Sequence, residues 1–189
     1  MADPLVTEWH SRDLGSRISE REVSAVAEWL ATNRNFHIMR DHPKHLNKIN
    51  GCCFGMKISN KNSAITRSIW KELFEKMLVR SMRKWKKGLD QDMIEKVMWQ
   101  LIASPVTDAN GLEQTNLIVH DSYTCTHFKD KQPPEAHRSF PTRRKEDSYK
   151  LNFVGQGYGE NHENQISLEE HGTCPMICRP QQHPDWILC

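Results

Sequence analysis

Hydrophobic and polar positions alternate along the chain in patterns that predict both helices and strands. The clearest pattern begins with Ser19 and Glu22, which form a capping box at the start of a helix. Apolar residues then recur at helical spacing, and Trp29 widens the stripe that they form. Turn-forming polar residues at 32–35 end the pattern. The sequence therefore predicts a helix that packs one apolar stripe on the core, made by Val23, Val26, Ala27 and Leu30.

Two short apolar runs predict strands. Residues 36–39 follow a turn and favour a buried strand, and a loop follows because Pro43 disfavours helical backbone at His42. Residues 116–121 predict another strand, which ends in the pair His120-Asp121. Asn50-Gly51 marks a turn between them. The alternation of such strands with helices indicates an α/β chain.

Two further helices are predicted in the middle of the chain. Residues 63–87 carry the longest helical pattern, and their last turns are strongly basic. That basic end favours a solvated helix terminus, with a phosphate-facing patch as the alternative. Asp90 is predicted to be the N-cap of the next helix, which Ser104-Pro105 ends. The inner face of that helix should contain Met93, Ile94, Val97, Met98, Leu101 and Ile102.

The periodic pattern is lost after residue 125. Residues 129–150 are charged and contain proline, and residues 155–170 are rich in Gly, Glu and Asn, which favours loops. We therefore predict two parts: an α/β domain at residues 1–125 and a loop-rich, cysteine-stapled tail at residues 126–189.

Composition limits the possible function classes. The chain has 189 residues, 37% of them hydrophobic, and a mean hydropathy of −0.72, which predicts long polar loops around one core. The net charge of +2 gives no general attraction to nucleic acid. No stretch approaches the roughly 18 apolar residues of a membrane span. The first residues have neither a basic nor an apolar region, so no signal peptide is predicted.

The cysteines predict a cross-linked tail. Cys52 and Cys53 are adjacent and rarely bond each other, so each should find another partner or fill apolar space. Cys174, Cys178 and Cys189 lie in the tail, and Cys125 supplies a fourth thiol for disulfides. Zinc is the alternative, because Cys-x3-Cys spacing and nearby histidines suit it. Disulfides without a signal peptide lead us to expect a chain that has lost its front end.

Several motifs carry a resemblance to a known family. They are Arg12-Asp13-Leu14-Gly15-Ser16-Arg17, a run from Arg21 to Leu30, His37-Ile38-Met39-Arg40-Asp41-His42-Pro43, His120-Asp121-Ser122-Tyr123 and the Cys-Pro…Cys-Arg-Pro…His-Pro-Asp-Trp…Cys ending. From Leu5 to Cys189, with gaps in the loops, the chain resembles a little-characterised group of GT-A-like glycosyltransferases.

The resemblance implies a partial GT-A (Rossmann-like) fold that lacks most of the nucleotide-binding half. It also implies sugar transfer from a nucleotide-sugar donor to a glycan or protein acceptor, in the secretory-pathway lumen or outside the cell. A divalent cation, Mn²⁺ or Mg²⁺, would neutralise the leaving nucleoside diphosphate.

Roles follow from the resemblance residue by residue. Metal ligands would be Asp13, His120 and Asp121. Donor or acceptor contacts would come from Arg12, Arg17, His37 and Arg40. Catalytic acids would be Asp41 and Asp90.

Two departures weaken the transferase hypothesis, and the missing nucleotide-binding half is the first. The family's second metal-binding aspartate is replaced by Gly15, so the motif here is Asp13-Leu14-Gly15 and one oxygen ligand is lost. The activity is therefore predicted to be impaired. The alternative is a small, non-enzymatic module, stabilised by disulfides or zinc, that binds a glycan or an acidic partner through its basic helix end and His-rich loops.

Overall fold

The structure of the protein is a computed structural model. It describes residues 3, 5–58, 70–72, 74–79, 82, 88–107, 111, 113–128, 133–144, 153–156 and 172–189. These residues form a mixed α/β structure, as the sequence predicts. No helix among them is long and apolar enough to cross a membrane.

A five-stranded mixed sheet is the centre of the fold. Its strands are β1 (Glu8–Ser11), β2 (Phe36–Arg40), β3 (Phe54–Lys57), β6 (Leu117–Asp121) and β7 (His137–Arg138), and their order is β1-β3-β2-β6-β7. The pairs β1–β3 and β3–β2 are antiparallel, whereas β2–β6 and β6–β7 are parallel. The short strands β4 (Val106–Thr107) and β5 (Glu113–Gln114) form a separate antiparallel pair. The fifth strand of the main sheet thus comes from the predicted tail.

The two central strands are buried along their whole length. Phe36 pairs with Leu117, and the register continues to Arg40 opposite Asp121. Parallel strands covered on both faces need apolar residues on both sides, which explains the two short apolar runs. Because the strands are parallel, their polar last residues lie at the same edge of the sheet. Both predicted strands are confirmed.

Helix α1 (Glu20–Leu30) begins where the capping box predicts, because the backbone N–H of Glu22 donates to Ser19 Oγ at 3.2 Å. Its predicted buried stripe is wrong. Val23 is 55% exposed, and Leu30 is 41% exposed. The buried residues are Arg21, Glu22 and Ala25, together with Trp29, which the prediction had placed beside the stripe.

The cause is polar pairing across the helix–sheet interface. Arg21 points into the core because its Nε donates to a carboxylate oxygen of Asp41 at 3.0 Å. Asp41 directly follows the last residue of β2. Trp29 stacks on the ring of His37, with centroids 5.1 Å apart. A hydrophobicity pattern takes neither contact into account, so it predicts the wrong buried face for this helix.

The helices C-terminal to β3 partly match the predictions. Residues 70–72, 74–79 and 82 are helical, and the other positions of the predicted 63–87 helix lie outside the described residues. Helices α2 (Leu89–Met93) and α3 (Trp99–Ala103) are joined by a π-helical segment, Ile94–Met98. Gly88, with φ 79°, is the N-cap, so the prediction of Asp90 as the cap is wrong. Asp90 lies in the first turn, where the helix dipole favours a carboxylate.

Apolar side chains pack on both faces of the sheet. One face contacts the helices through Phe36, Ile38, Met56, Leu117, Val119, Trp70, Met98 and Ile102. The other contacts α1 and later loops through Ala25, Met39, Cys53, Phe140 and Val154. Neighbouring residues of β2 belong to opposite faces, as a pleated strand requires. The core is therefore built around β2 and β6.

All six cysteines form disulfides. Cys125 bonds Cys178, and Cys174 bonds Cys189, so disulfides cross-link the tail as predicted. Such pairs are compatible with an oxidising compartment. The expectation that Cys52 and Cys53 avoid each other is wrong, because they form a third disulfide.

Gly155 explains how the Cys52–Cys53 disulfide is accommodated. Its φ is +84°, and a Cβ there would lie 2.4 Å from Cys53 Sγ and 2.5 Å from Cys52 Sγ. A glycine removes both the strain of that φ and the clash. The adjacent cysteines thus fit into a hollow that only the folded chain provides.

Candidate functional site

The predicted catalytic residue Asp41 lies in the core with no exposed surface. Its oxygens accept hydrogen bonds from Arg21 Nε at 3.0 Å, Arg144 Nη2 at 2.6 Å, Ser122 Oγ at 2.7 Å and the backbone N–H of Val154 at 3.1 Å. These donors occupy both carboxylate oxygens. Asp41 therefore holds α1, β2 and two later loops together and contacts no open space.

The electrostatics of this cluster agree with a structural role. Burial raises the pKa of Asp41, but the guanidinium groups of Arg144 and Arg21 outweigh it, and the pKa is lowered overall. Burial lowers the pKa of Arg21 to about 10 despite the attraction of Asp41. Both partners are therefore charged at neutral pH.

A second buried ion pair joins the ends of the central strands. Arg40 Nε donates to Asp121 at 2.8 Å, and neither side chain is exposed. Asp121 also accepts the backbone N–H groups of Tyr123 and Thr124, at 3.0 and 2.7 Å, and the hydroxyl of Thr124 at 2.9 Å. The guanidinium of Arg40 packs over the ring of Phe128 at 3.9 Å. Here too the hydrogen-bonding capacity is used inside the protein.

The residues implied as metal ligands do not fit Mn²⁺ or Mg²⁺. Asp13 is exposed on the loop after β1, whereas His120 and Asp121 are fully buried. The oxygens of Asp121 and both ring nitrogens of His120 already have hydrogen-bond partners. Within the described ranges, no group of three or more His, Cys, Asp or Glu side chains could hold a metal ion.

The remaining predicted contact residues lie apart from the buried clusters. Arg12 forms an ion pair of 2.5 Å with Glu22, which ties the loop after β1 to helix α1. Arg17 and Asp90 are exposed, on the loop before α1 and in the first turn of α2. Arg12 and Arg17 thus reach the surface, whereas His37 and Arg40 are fully buried and cannot line an open cavity with them.

Two predicted site residues, His37 and His120, do come together. With Glu28 they form a row of hydrogen-bonded side chains that leads to the surface. His37 Nε2 lies 2.8 Å from His120 Nδ1, and His120 Nε2 lies 3.3 Å from a carboxylate oxygen of Glu28. An ionised Glu28 requires a proton on His120 Nε2, so His120 Nδ1 accepts the proton of His37. The hydrogen bond from His120 is the main cause that lowers the pKa of Glu28. Neutral tautomers thus allow both hydrogen bonds of the row, and Nδ1 of His37 has no partner among the described residues.

We predict that stability falls as the pH drops below about 6.5. Burial lowers the pKa of His10 and of His45 to about 4, and the pKa values of His37, His120 and His137 are lowered for the same reason. Between pH about 6.5 and about 4 the unfolded chain therefore binds more protons than the folded one. Each histidine contributes up to about 1.4 kcal/mol per pH unit.

Urea unfolding at pH 7.5, 6 and 5 measures this effect. His45→Gln should reduce the slope, whereas His127→Gln, at an exposed position, should leave it unchanged. Equal unfolding free energies at pH 7.5 and pH 5 would contradict the prediction.

Glu28 lines an open cleft of about 640 Å³. This volume is typical of small-molecule sites. On the same side as Glu28, β7 and the loop after it contribute Arg138 and Phe140. Arg138 Nε lies 3.9 Å from a carboxylate oxygen of Glu28. The cleft therefore begins where the histidine row ends.

Residues of the tail line the rest of the cleft, and we call them the tail wall. The rings of His183 and Trp186 stack with centroids 4.3 Å apart and planes 9° apart. Two turns bring them together, because His183 N–H donates to Pro180 O at 2.9 Å and Trp186 N–H donates to His183 O at 3.1 Å. Arg179, Gln181 and Gln182 complete this wall.

Sequence reasoning missed most of the cleft. Glu28 lies in a helix whose orientation was predicted incorrectly, and Arg138 lies in a segment predicted as loop. Trp186 belongs to the tail motif, but nothing in its spacing indicates a stacking partner. Two disulfides, through Cys178 and Cys174, hold this segment against the rest of the fold. The sequence feature that could have indicated this cleft is the presence of aromatic and amide side chains in a cross-linked tail.

Comparison of the chain with models of protein families, with curated proteins and with solved structures finds no match.

Proposed function

We propose that this protein binds a saccharide in the cleft between α1, β7 and the tail. The stacked pair of His183 and Trp186 carries the proposal, because a flat aromatic surface packs against the apolar face of a sugar ring. The amides of Gln181 and Gln182 lie on the same wall and can bond hydroxyl groups. This combination of one apolar platform and several polar groups suits a saccharide.

Sugar transfer is the second candidate, and the resemblance of residues 11–45 and of the tail favours it. The chain would then be part of a GT-A fold that takes a nucleotide sugar and a glycan or protein acceptor. Two observations favour binding without transfer: Asp41 is enclosed by its donors, and the implied metal ligands do not form a set. We propose the secretory-pathway lumen or the cell exterior as the location, which agrees with the three disulfides.

Trp186→Ala is the decisive variant. Loss of the stacking surface should weaken saccharide binding about 10- to 100-fold, which corresponds to about 1.4 to 2.8 kcal/mol. Isothermal titration with the best ligand from a glycan array measures it. Trp186→Phe keeps a flat ring and should retain most of the affinity. Phe74→Ala removes an exposed aromatic ring outside the cleft and should change nothing.

The same measurements separate the two candidates. Saccharide binding without added metal, lost in Trp186→Ala, supports the binding module. Binding of nucleotide sugars that requires Mn²⁺ and survives Trp186→Ala would support the transferase instead. If no saccharide on the array binds, the proposed function is wrong.

A further inference from the structure

Among the residues that the structure describes, the charges on the cleft walls do not balance. The side chains of Arg138 and Arg179 bring two guanidinium groups to the cleft, and Glu28 brings one carboxylate. Glu28 already accepts a hydrogen bond from His120 at 3.3 Å and lies 3.9 Å from Arg138 Nε. The charges of Glu28 and Arg138 therefore largely offset each other. The excess positive charge lies on the tail wall, at Arg179.

Arg179 is held in place by neutral partners. Its Nε donates to the carbonyl of Cys174 at 3.0 Å, and its Nη1 donates to the carbonyl of Pro184 at 2.7 Å. Carbonyl groups fix the guanidinium without neutralising it. In the part of the chain that the structure describes, no carboxylate forms an ion pair with Arg179. The Cys174–Cys189 disulfide anchors the same segment, so the cation is held in position without a counter-ion among the described residues.

The cation and the aromatic pair belong to one short segment. Only three residues separate Arg179 from His183, and both line the cleft with Trp186. A sugar ring that stacks on this pair therefore has a guanidinium on the same wall. Guanidinium groups bind carboxylate and sulfate through two parallel N–H donors, which neutral hydroxyl groups cannot match.

We propose that the saccharide of this cleft carries an anionic substituent, a carboxylate or a sulfate, and that Arg179 binds it. The inference rests on the proposed function, because it names the class of saccharide for that same cleft. Glu28 then faces the uncharged part of the ligand, where its remaining lone pairs accept hydroxyl protons.

The test compares saccharides that differ in charge alone. Titrations use oligosaccharides of galactose, of galacturonate and of sulfated galactose with equal chain lengths. At least one acidic form should bind 10-fold or more tightly than the neutral form. Its affinity should fall as salt rises from 50 to 500 mM, because screening weakens charge pairs. Whichever acidic form binds better identifies the anionic group.

Arginine variants test which residue causes the preference for the acidic saccharide. Arg179→Gln should remove the preference for the acidic form, so that the acidic and neutral saccharides bind this variant equally well. Arg138→Gln removes the cation beside Glu28, whose carboxylate then repels an anion in the same cleft, so this variant should reduce the preference partly. Arg17→Gln removes one positive charge from an exposed position outside the cleft and should have no effect.

Each outcome decides between the two proposals. Equal binding of neutral and acidic forms overturns the anionic inference and leaves saccharide binding intact. Absence of binding by all three saccharides and by every member of the array overturns both. A preference that persists in both Arg179→Gln and Arg138→Gln shows that the anion binds elsewhere and overturns the assignment.

Discussion

Asp41→Asn is expected to lower the free energy of unfolding by about 3–5 kcal/mol, because it leaves two buried guanidinium groups without their common counter-ion. Arg21 and Arg144 both donate to Asp41, and all three side chains are buried. The amide keeps the shape of the carboxylate but has one oxygen fewer and donates where the arginines need an acceptor. Chemical denaturation at pH 7 measures the loss.

The matched control is Glu72→Gln. It makes the same change from carboxylate to amide at an exposed ion pair with Lys76, where water already screens the charges. We expect no measurable change in stability from it. If Asp41→Asn is equally harmless, the buried cluster does not stabilise the fold.

The effect of Asp41 should also depend on pH in one direction. Its folded pKa is lowered, so the stability that it contributes is present above its unfolded pKa of about 3.9 and is lost as the pH falls through the lower folded value. The difference between the wild-type protein and Asp41→Asn should therefore be constant from pH 5 to 7 and shrink below about pH 4. A difference that shrinks already near pH 6 would indicate another titrating group.

The same variant tests the role that the resemblance implies for Asp41. A catalytic carboxylate that contacts substrate can be replaced by its amide with little loss of stability but a large loss of activity. A buried counter-ion behaves in the opposite way. Because every described contact of Asp41 is internal, we expect the loss of stability, and we expect saccharide binding at the cleft to persist while the chain is folded.

Removal of the Cys125–Cys178 disulfide is the second large effect. This bond links residues 53 positions apart. Loop-closure entropy then predicts that Cys125→Ala with Cys178→Ala destabilises the protein by about 4 kcal/mol. Cys178 also anchors the tail wall, so saccharide affinity should fall together with stability. Thermal unfolding without reductant and titration of the same sample measure both quantities.

Cys52→Ala with Cys53→Ala provides the control. It also removes one disulfide, but that disulfide joins adjacent residues and closes no loop in the unfolded chain. Only packing beside Gly155 is lost, which costs about 1–2 kcal/mol. Equal losses in the two double variants would show that packing of the sulfur atoms, rather than restriction of the unfolded chain, determines the effect.

The sequence predicts the parts of the fold that depend on local chemistry. Ser19 begins α1 because a hydroxyl at that position satisfies the backbone of the first turn. Residues 36–40 and 117–121 form strands because apolar runs of this length suit the buried centre of a sheet. The composition of the tail, with its cysteines, predicts cross-linking before any partner is known. Each of these predictions rests on local composition and spacing and leaves the distant partners open.

Tertiary structure decides the features that depend on pairs distant in sequence. Asp41 and Arg144 are 103 positions apart, and Glu28 and His120 are 92 apart. No spacing rule indicates such pairs, so motif residues that resemble a catalytic set become buried counter-ions. The cleft likewise exists only because β7 and the cross-linked tail fold back beside α1. The sequence by itself determined helix α1, the two central strands and the cross-linked tail. The tertiary structure decided that β1, β3 and β7 pair as strands, and long-range polar pairing decided which side chains stay available to a ligand.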